Sequence, residues 1–145
     1  MAVICCDTSF LFALYGNNVH TGSAIAEVQG LETPMTISPF NEYELCNAIN
    51  FAVFRRFFSP AQASRLLAAF AADLDAGTLH LPVCNLALVL IEAKRLSASY
   101  TQIAGHRSFD ILHVATAIQF GASEFLTFDI NQRRLARAEG LEARP

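Results

Sequence analysis

The chain contains five aspartates, and three of them interrupt apolar segments: Asp7 in "VICCDTSF", Asp110 in "SFDILHVATA" and Asp129 in "FLTFDINQRR". Taken singly, an aspartate in a helix's first turn is a dipole or capping residue. One directly after a strand usually begins a turn. Their combined placement asks for more. A helix of about eleven residues from Ser108 rises roughly 16 Å at ~1.5 Å per residue. The strand expected over Glu124 to Phe128 returns about the same distance at ~3.3 Å per residue, with Gly121 supplying the reversal. Asp110 and Asp129 therefore meet at one sheet edge, and Asp7 holds the matching position after the first strand. In open α/β sheets the carboxyl ends of the strands are where ligands bind. Asp73 and Asp75, near the end of an amphipathic helix, read as solvated surface charges.

A fourth acid comes from "PFNEYELCNAINF". Glu42 and Glu44 cannot share a helix face at a spacing of two; Glu44 adjoins the apolar ridge Leu45, Ala48, Ile49 and is expected to point inward, with Glu42 exposed. Carboxylates brought this close repel one another unless a cation joins them. An all-oxygen acidic set suits Mg²⁺ or Mn²⁺ rather than zinc, and such a site can orient a phosphodiester and activate water for in-line attack.

Neighbouring polar residues have two readings each. Thr8 and Ser9 either orient the Asp7 carboxylate or a metal-bound water, or cap the first helix. Asn131 either binds a metal-bound water or forms the turn after Asp129. Thr127 either supports the site or is there as a β-former. His113, one turn beyond Asp110, is assigned to packing or to support of the acids. Arg107, Arg133 and Arg134 are candidates for holding substrate phosphate, against the usual role of a helix-surface arginine as a solvated charge.

The elements that must position these groups follow from periodicity. Strands are expected at Val3 to Asp7, Thr33 to Ser38, Thr78 to Val83 and Glu124 to Phe128. Helices fall between them: Thr8 to about Gly16, His20 to Gln29, about Phe40 to Arg56, and Pro60 (behind the cap Ser59) to Gly77. Asn85 to about Ser99, Ser108 to Phe120 and a terminal segment complete the set. Alternating strands and helices predict a three-layer α/β/α domain, residues 1–145, around a central parallel sheet of four or five strands. Pro82 cannot donate to a ladder, which places the third strand at an edge.

Length and composition agree with one domain: 145 residues, 53% hydrophobic, with a net charge of −3. That balance gives no broad basic surface, so nucleic-acid affinity would rest on local arginines and bridging metal. Cys5, Cys6, Cys46 and Cys84 lack Cys-x-x-Cys spacing and read as free thiols, Cys5 and Cys6 on opposite strand faces. No apolar run reaches membrane-spanning length and no basic leader precedes the first strand, so a cytoplasmic protein without membrane attachment is expected.

The ordered set "CDTSFLFAL", "ELCNAI", "RSFDILHVATA" and "FLTFD" resembles the PIN-domain ribonucleases, and within them the VapC-like toxins of type II toxin–antitoxin pairs. The resemblance implies a sheet of order 3-2-1-4-5 and a Mg²⁺- or Mn²⁺-dependent endoribonuclease. Carried over by position, Asp7, Glu44, Asp110 and Asp129 are its metal-holding catalytic acids. It also implies an RNA substrate, a homodimer and a VapB-like antitoxin. The fifth strand would come from "LEARP", where so short a segment is expected to be frayed or missing. Phe51, Phe54 and Phe58, with Phe57 alongside, form a stripe whose leading reading is core packing; the other reading is a partner-peptide groove. The competing function is a PIN-like binding module for RNA or protein that does not cleave. A haloacid-dehalogenase-type phosphatase would need an aspartate where Ser9 stands, and a receiver would need a lysine after a late strand, where Lys94 does not fall.

Overall fold

The computed structural model describes all of residues 1–145. Its strands are short: β1 Ile4–Cys6, β2 Met35–Thr36, β3 Leu79–His80, β4 Glu124–Leu126 and β5 Glu142–Arg144. Helices α1 Thr8–Tyr15 and α2 Thr21–Gln29 follow β1, α3 Pro39–Phe54 and α4 Pro60–Asp75 follow β2, and α5 Leu86–Leu96 follows β3. After a π turn at Ser97–Thr101 come the short α6 Gln102–Ala104, α7 Ser108–Gln119 and, beyond β4, α8 Ile130–Ala138.

All pairings are parallel, each made possible by helical crossover connections. β1, β4 and β5 form a three-stranded sheet, with Cys5 opposite Phe125 and Phe125 opposite Ala143. β2 and β3 form a separate two-stranded pair, and β2 lies against β1 without a ladder between them. The spatial order is thus the expected 3-2-1-4-5, but the single continuous sheet of four or five strands is corrected to three plus two. The fifth strand, expected frayed or missing, is present. Arg144 ties it down, pairing with Glu27 at 2.9 Å and with Glu124, while its carbonyl accepts from the Thr127 N–H at 2.9 Å. Pro82 lies beyond β3 rather than within it, and β3 is an edge strand.

The sheet divides two cores because β1 and β4 present alternate side chains to opposite faces. Ile4, Cys6 and Leu126 join Phe10, Leu11, Leu45, Ile49 and Phe70 on one side. Cys5 and Phe125 join Val89, Val114, Leu135 and Leu141 on the other. Full burial of side chains such as Phe10 and Phe125 contributes about 1.5–3 kcal/mol each. The four cysteines are unpaired thiols. No helix is long and apolar enough to cross a membrane.

Local signals set the helix ends. Ser38 and Ser59 each form a reciprocal capping box in front of a proline, closing α3 on Asn41 and α4 on Gln62. Gly121, at φ 70°, makes the reversal from α7 into β4, a conformation only glycine adopts without penalty. The aromatic stripe departs from expectation: Phe51, Phe54 and Phe57 are exposed, and only Phe58 packs inward, stacking on Phe12 at 6.0 Å. Asp73 is also more than a solvated charge, since it accepts a 2.5 Å hydrogen bond from the Tyr15 hydroxyl.

Candidate active site

Two of the acids sit at equivalent strand-to-helix turns. Asp7 ends β1 and caps α1, its Oδ1 accepting from the Phe10 N–H at 2.9 Å. Asp129 follows β4 and caps α8, its Oδ1 accepting from the Gln132 N–H at 2.9 Å. Capping thereby fixes both carboxylates at the carboxyl edge of neighbouring strands. Thr127, wholly buried, couples them: its hydroxyl donates to Asp7 Oδ2 at 2.7 Å and accepts from the Asp129 N–H at 3.0 Å. Ser9 donates a second bond to Asp7 Oδ2 at 2.7 Å.

Glu44 reaches the same edge from α3 through a different network. The Ser38 N–H donates to Asn41 Oδ1 at 3.0 Å, which turns Asn41 Nδ2 toward the Cys6 carbonyl at 3.3 Å and His113 Nδ1 at 3.3 Å. With Nδ1 accepting, the imidazole proton resides on Nε2, which donates to Glu44 Oε1 at 2.8 Å. The buried Thr8 hydroxyl lies 3.1 Å from His113 Nε2. Asp110, in the first turn of α7, is more open and pairs with the exposed Arg107 at 3.1 Å.

Asp7, Glu44, Asp110 and Asp129 all line one cavity of about 630 Å³, together with Thr8, Ser9, Arg107 and His113. Their electrostatic states differ. Asp7 is 3% exposed and enters no ion pair. Burial raises its pKa above the ordinary 3.8, against the hydrogen bonds of Ser9, Phe10 and Thr127. For Glu44, partial burial opposes ionisation, but bonds from His113 and Thr8 and the charge of Arg107 outweigh it and lower its pKa.

This donor set fits a hard divalent cation in its chemistry: carboxylate and hydroxyl oxygens face one opening, and Asp7 is a buried carboxylate with no cationic partner. It is not a closed cluster, because no three of the chain's His, Cys, Asp or Glu residues stand together closely enough to hold an ion. Mutual repulsion among the carboxylates acts in that direction.

Several neighbouring residues have other tasks. Thr8 and Ser9 do not cap α1; Asp7 does, and they address His113 and Asp7 instead. Asn131 is not on the cavity wall: its amide reaches the Ala104 carbonyl at 3.1 Å and His106 at 3.3 Å, tying α8 to the loop before α7. Arg133 is likewise turned away, donating to the Thr127 carbonyl at 3.2 Å, and Arg134 is exposed and off the cavity. Asn41 escaped the sequence reading; its capping-box position was legible, its grip on His113 was not. The lining residues Arg55, Phe51, Phe57 and His20 were also missed as part of this cavity.

The PIN domain family model matches residues 4–138. Structurally, the chain is similar to VapC20 of Mycobacterium tuberculosis, described as a sarcin–ricin loop cleaving toxin. The TM-score is 0.72 at 19% identity, over 98% of this chain and 99% of that one. It is similar to VapBC2 of Rickettsia felis bound to a promoter DNA fragment, with TM-score 0.72, 17% identity and coverage of 97% and 96%. It is also similar to FitAcB of Neisseria gonorrhoeae, with TM-score 0.67, 15% identity and coverage of 99% and 97%. No curated protein matches it in sequence. The family match spans nearly all of the two-core fold and every one of the four acids: the chain belongs to the PIN domain family.

Proposed function

We propose that residues 1–145 act as one domain with metal-dependent endoribonuclease activity, as the toxin of a type II toxin–antitoxin pair. The observation that carries this reading is the convergence of Asp7, Glu44, Asp110 and Asp129, from four separate segments, on one cavity of a PIN fold. Asp7, Glu44, Asp110 and Asp129 would hold Mg²⁺ or Mn²⁺, which when bound polarises the phosphodiester and lowers the pKa of water. Thr127 and Ser9 orient Asp7, and the Asn41–His113 pair orients Glu44. His113 Nδ1 is occupied by Asn41 and its proton is directed at Glu44, so it serves as a positioning residue rather than a base. Arg107, 81% exposed at its side chain, is placed to meet a substrate phosphate on exchanging Asp110 for it.

The partner reading rests on the resemblance to VapC-like toxins of toxin–antitoxin pairs, together with the structural likeness to VapBC2 and FitAcB. We propose a VapB-like antitoxin for this chain and a homodimer, for which α5 exposes Leu86, Leu90 and Ile91. We also propose that the protein acts in the cytoplasm.

The test is cleavage of a panel of structured RNAs with and without Mn²⁺, with Asp7→Asn as the control for contaminating nuclease. Cleavage that requires the ion and is lost in the variant supports the reading. An RNA-binding protein that cleaves nothing would leave the silent-module alternative.

A further inference from the structure

The wall of the cavity opposite in character to the acids is aromatic. Phe51 and Phe57 line it, yet 53% and 68% of their surfaces remain exposed. Between them lies Arg55, its guanidinium 5.9 Å from the Phe51 ring centre and 5.1 Å from that of Phe57. Exposing two phenylalanines this far forgoes hydrophobic stabilisation, and the end of α3 is what presents them. Arg56 sits at φ 63°, the left-handed region that usually takes glycine. That reversal lets the Phe57 N–H return to the Ala52 carbonyl at 2.8 Å and brings the Phe57 ring back over Arg55. The left-handed Arg56 thus ends α3 as a helix cap, with its N–H on the Val53 carbonyl at 2.9 Å; the two exposed rings are the feature to explain by binding rather than by folding. A further flat face lines the same cavity: the exposed His20 ring stacks on Phe128 at 4.3 Å, with 13° between the planes.

We infer that the Phe51–Arg55–Phe57 wall is a stacking platform for unpaired bases of single-stranded RNA beside the scissile phosphate. This inference rests on the nuclease reading and deepens it by naming the substrate class. Flat aromatic faces interleaved with a cation suit nucleobases, which present a π-face whatever their sequence, next to a phosphate backbone. The charge pattern agrees. Arg55 and Arg107 are the two arginines that line the cavity alongside its four carboxylates, so an RNA strand meets positive charge where its phosphates flank the acids. A duplex keeps its bases stacked on each other and cannot use these rings; an unpaired loop or single strand can.

The test uses short single-stranded RNAs carrying 2-aminopurine, bound to the intact protein and to Asp7→Asn, which keeps the RNA whole. Stacking quenches the fluorophore. Phe51→Ala/Phe57→Ala together should abolish the quench, weaken binding and raise KM by roughly tenfold or more. kcat on saturating RNA stays near that of the unaltered protein, and a Phe57→Trp variant keeps both quench and affinity. Because both rings are exposed, circular dichroism and melting of the double variant should match the parent. Undiminished quenching and affinity in the double variant would overturn the platform while leaving the nuclease intact. Unchanged RNA binding with loss of a co-expressed antitoxin would overturn it too, and would assign the wall to protein. Phe-dependent quenching without any cleavage by the parent protein would uphold the platform and remove the nuclease.

Discussion

Asp7 and Asp110 present the same carboxyl group to one cavity, and their surroundings are built on different terms. Asp7 belongs to the inner wall, where Thr127, Ser9 and the Phe10 N–H satisfy it and no cation is near. Glu44 shares that wall, held by His113 and, behind it, Asn41. Asp110 belongs to the outer wall, more open to solvent and already paired with the exposed charge of Arg107. The inner wall keeps its acids oriented whether or not anything is bound; the outer wall holds replaceable partners. That division suits a site which must fix an ion firmly and exchange a long polymer easily.

Replacing Asp7 by Asn is the sharpest way to break the inner wall's chemistry without breaking its geometry. Asparagine keeps the cap on Phe10, so the helix start survives, while the charge needed for metal is gone. RNA cleavage should fall by at least about a hundredfold. The melting temperature should hold or rise, since an uncompensated buried charge has been removed. A variant that unfolds would show that Asp7 is mainly structural.

Thr127→Val tests the coupling between the two strand-end acids. It preserves shape but removes the donor to Asp7 and the acceptor for the Asp129 N–H. A loss of about 1–3 kcal/mol in denaturant-measured stability is expected, together with weaker metal binding. A change under about 0.5 kcal/mol, the range of an ordinary surface substitution, would mean that the two acids are positioned independently.

The same contrast has a pH signature in metal-free protein. Burial raises the pKa of Asp7 above 3.8, so the folded state binds its proton more tightly than the unfolded chain does. The stability this contributes is present below 3.8 and is lost as pH rises through the raised value. Glu44 works the other way: its lowered pKa gives stability that is complete above its ordinary 4.5 and is lost on acidification. Chemical denaturation above pH 4.5 should therefore show stability declining with pH in the parent and a flatter profile in Asp7→Asn. Identical slopes would contradict the burial of a titrating Asp7.

The smallest effect belongs to the outer wall. Arg107→Ala removes an exposed ion pair and should change stability by less than about 0.5 kcal/mol, while raising KM for RNA. If KM does not move, Arg107 only screens Asp110.

How much of this was legible in the sequence follows the same division. Asp7, Asp129 and Asp110 could be read because strand-end and first-turn positions are local signals, and topology does the rest. Glu44 was separable from Glu42 by helix facing alone. The partners were harder. Asn41 looks like an ordinary capping residue, and only tertiary packing reveals that its second amide hydrogen reaches His113. Arg133 and Asn131 have the polarity of ligand-binding residues but spend it on backbone carbonyls of adjacent loops. The phenylalanine stripe has the period of a core-facing helix, and period cannot distinguish a face that meets the core from one that lines an open cavity. β5 was doubted because the segment "LEARP" is so short; pairing to β4 and the Arg144 ion pairs hold it in place.

Direct measurement of Mn²⁺ binding by electron paramagnetic resonance, on the parent and on Asp7→Asn, Glu44→Gln, Asp110→Asn and Asp129→Asn, bears most closely on the shared acidic site. Binding should be present in the parent and weaker by about tenfold or more in each variant, as expected where every carboxylate contributes an oxygen ligand. No binding in the parent, or equal binding in all five proteins, would contradict the site.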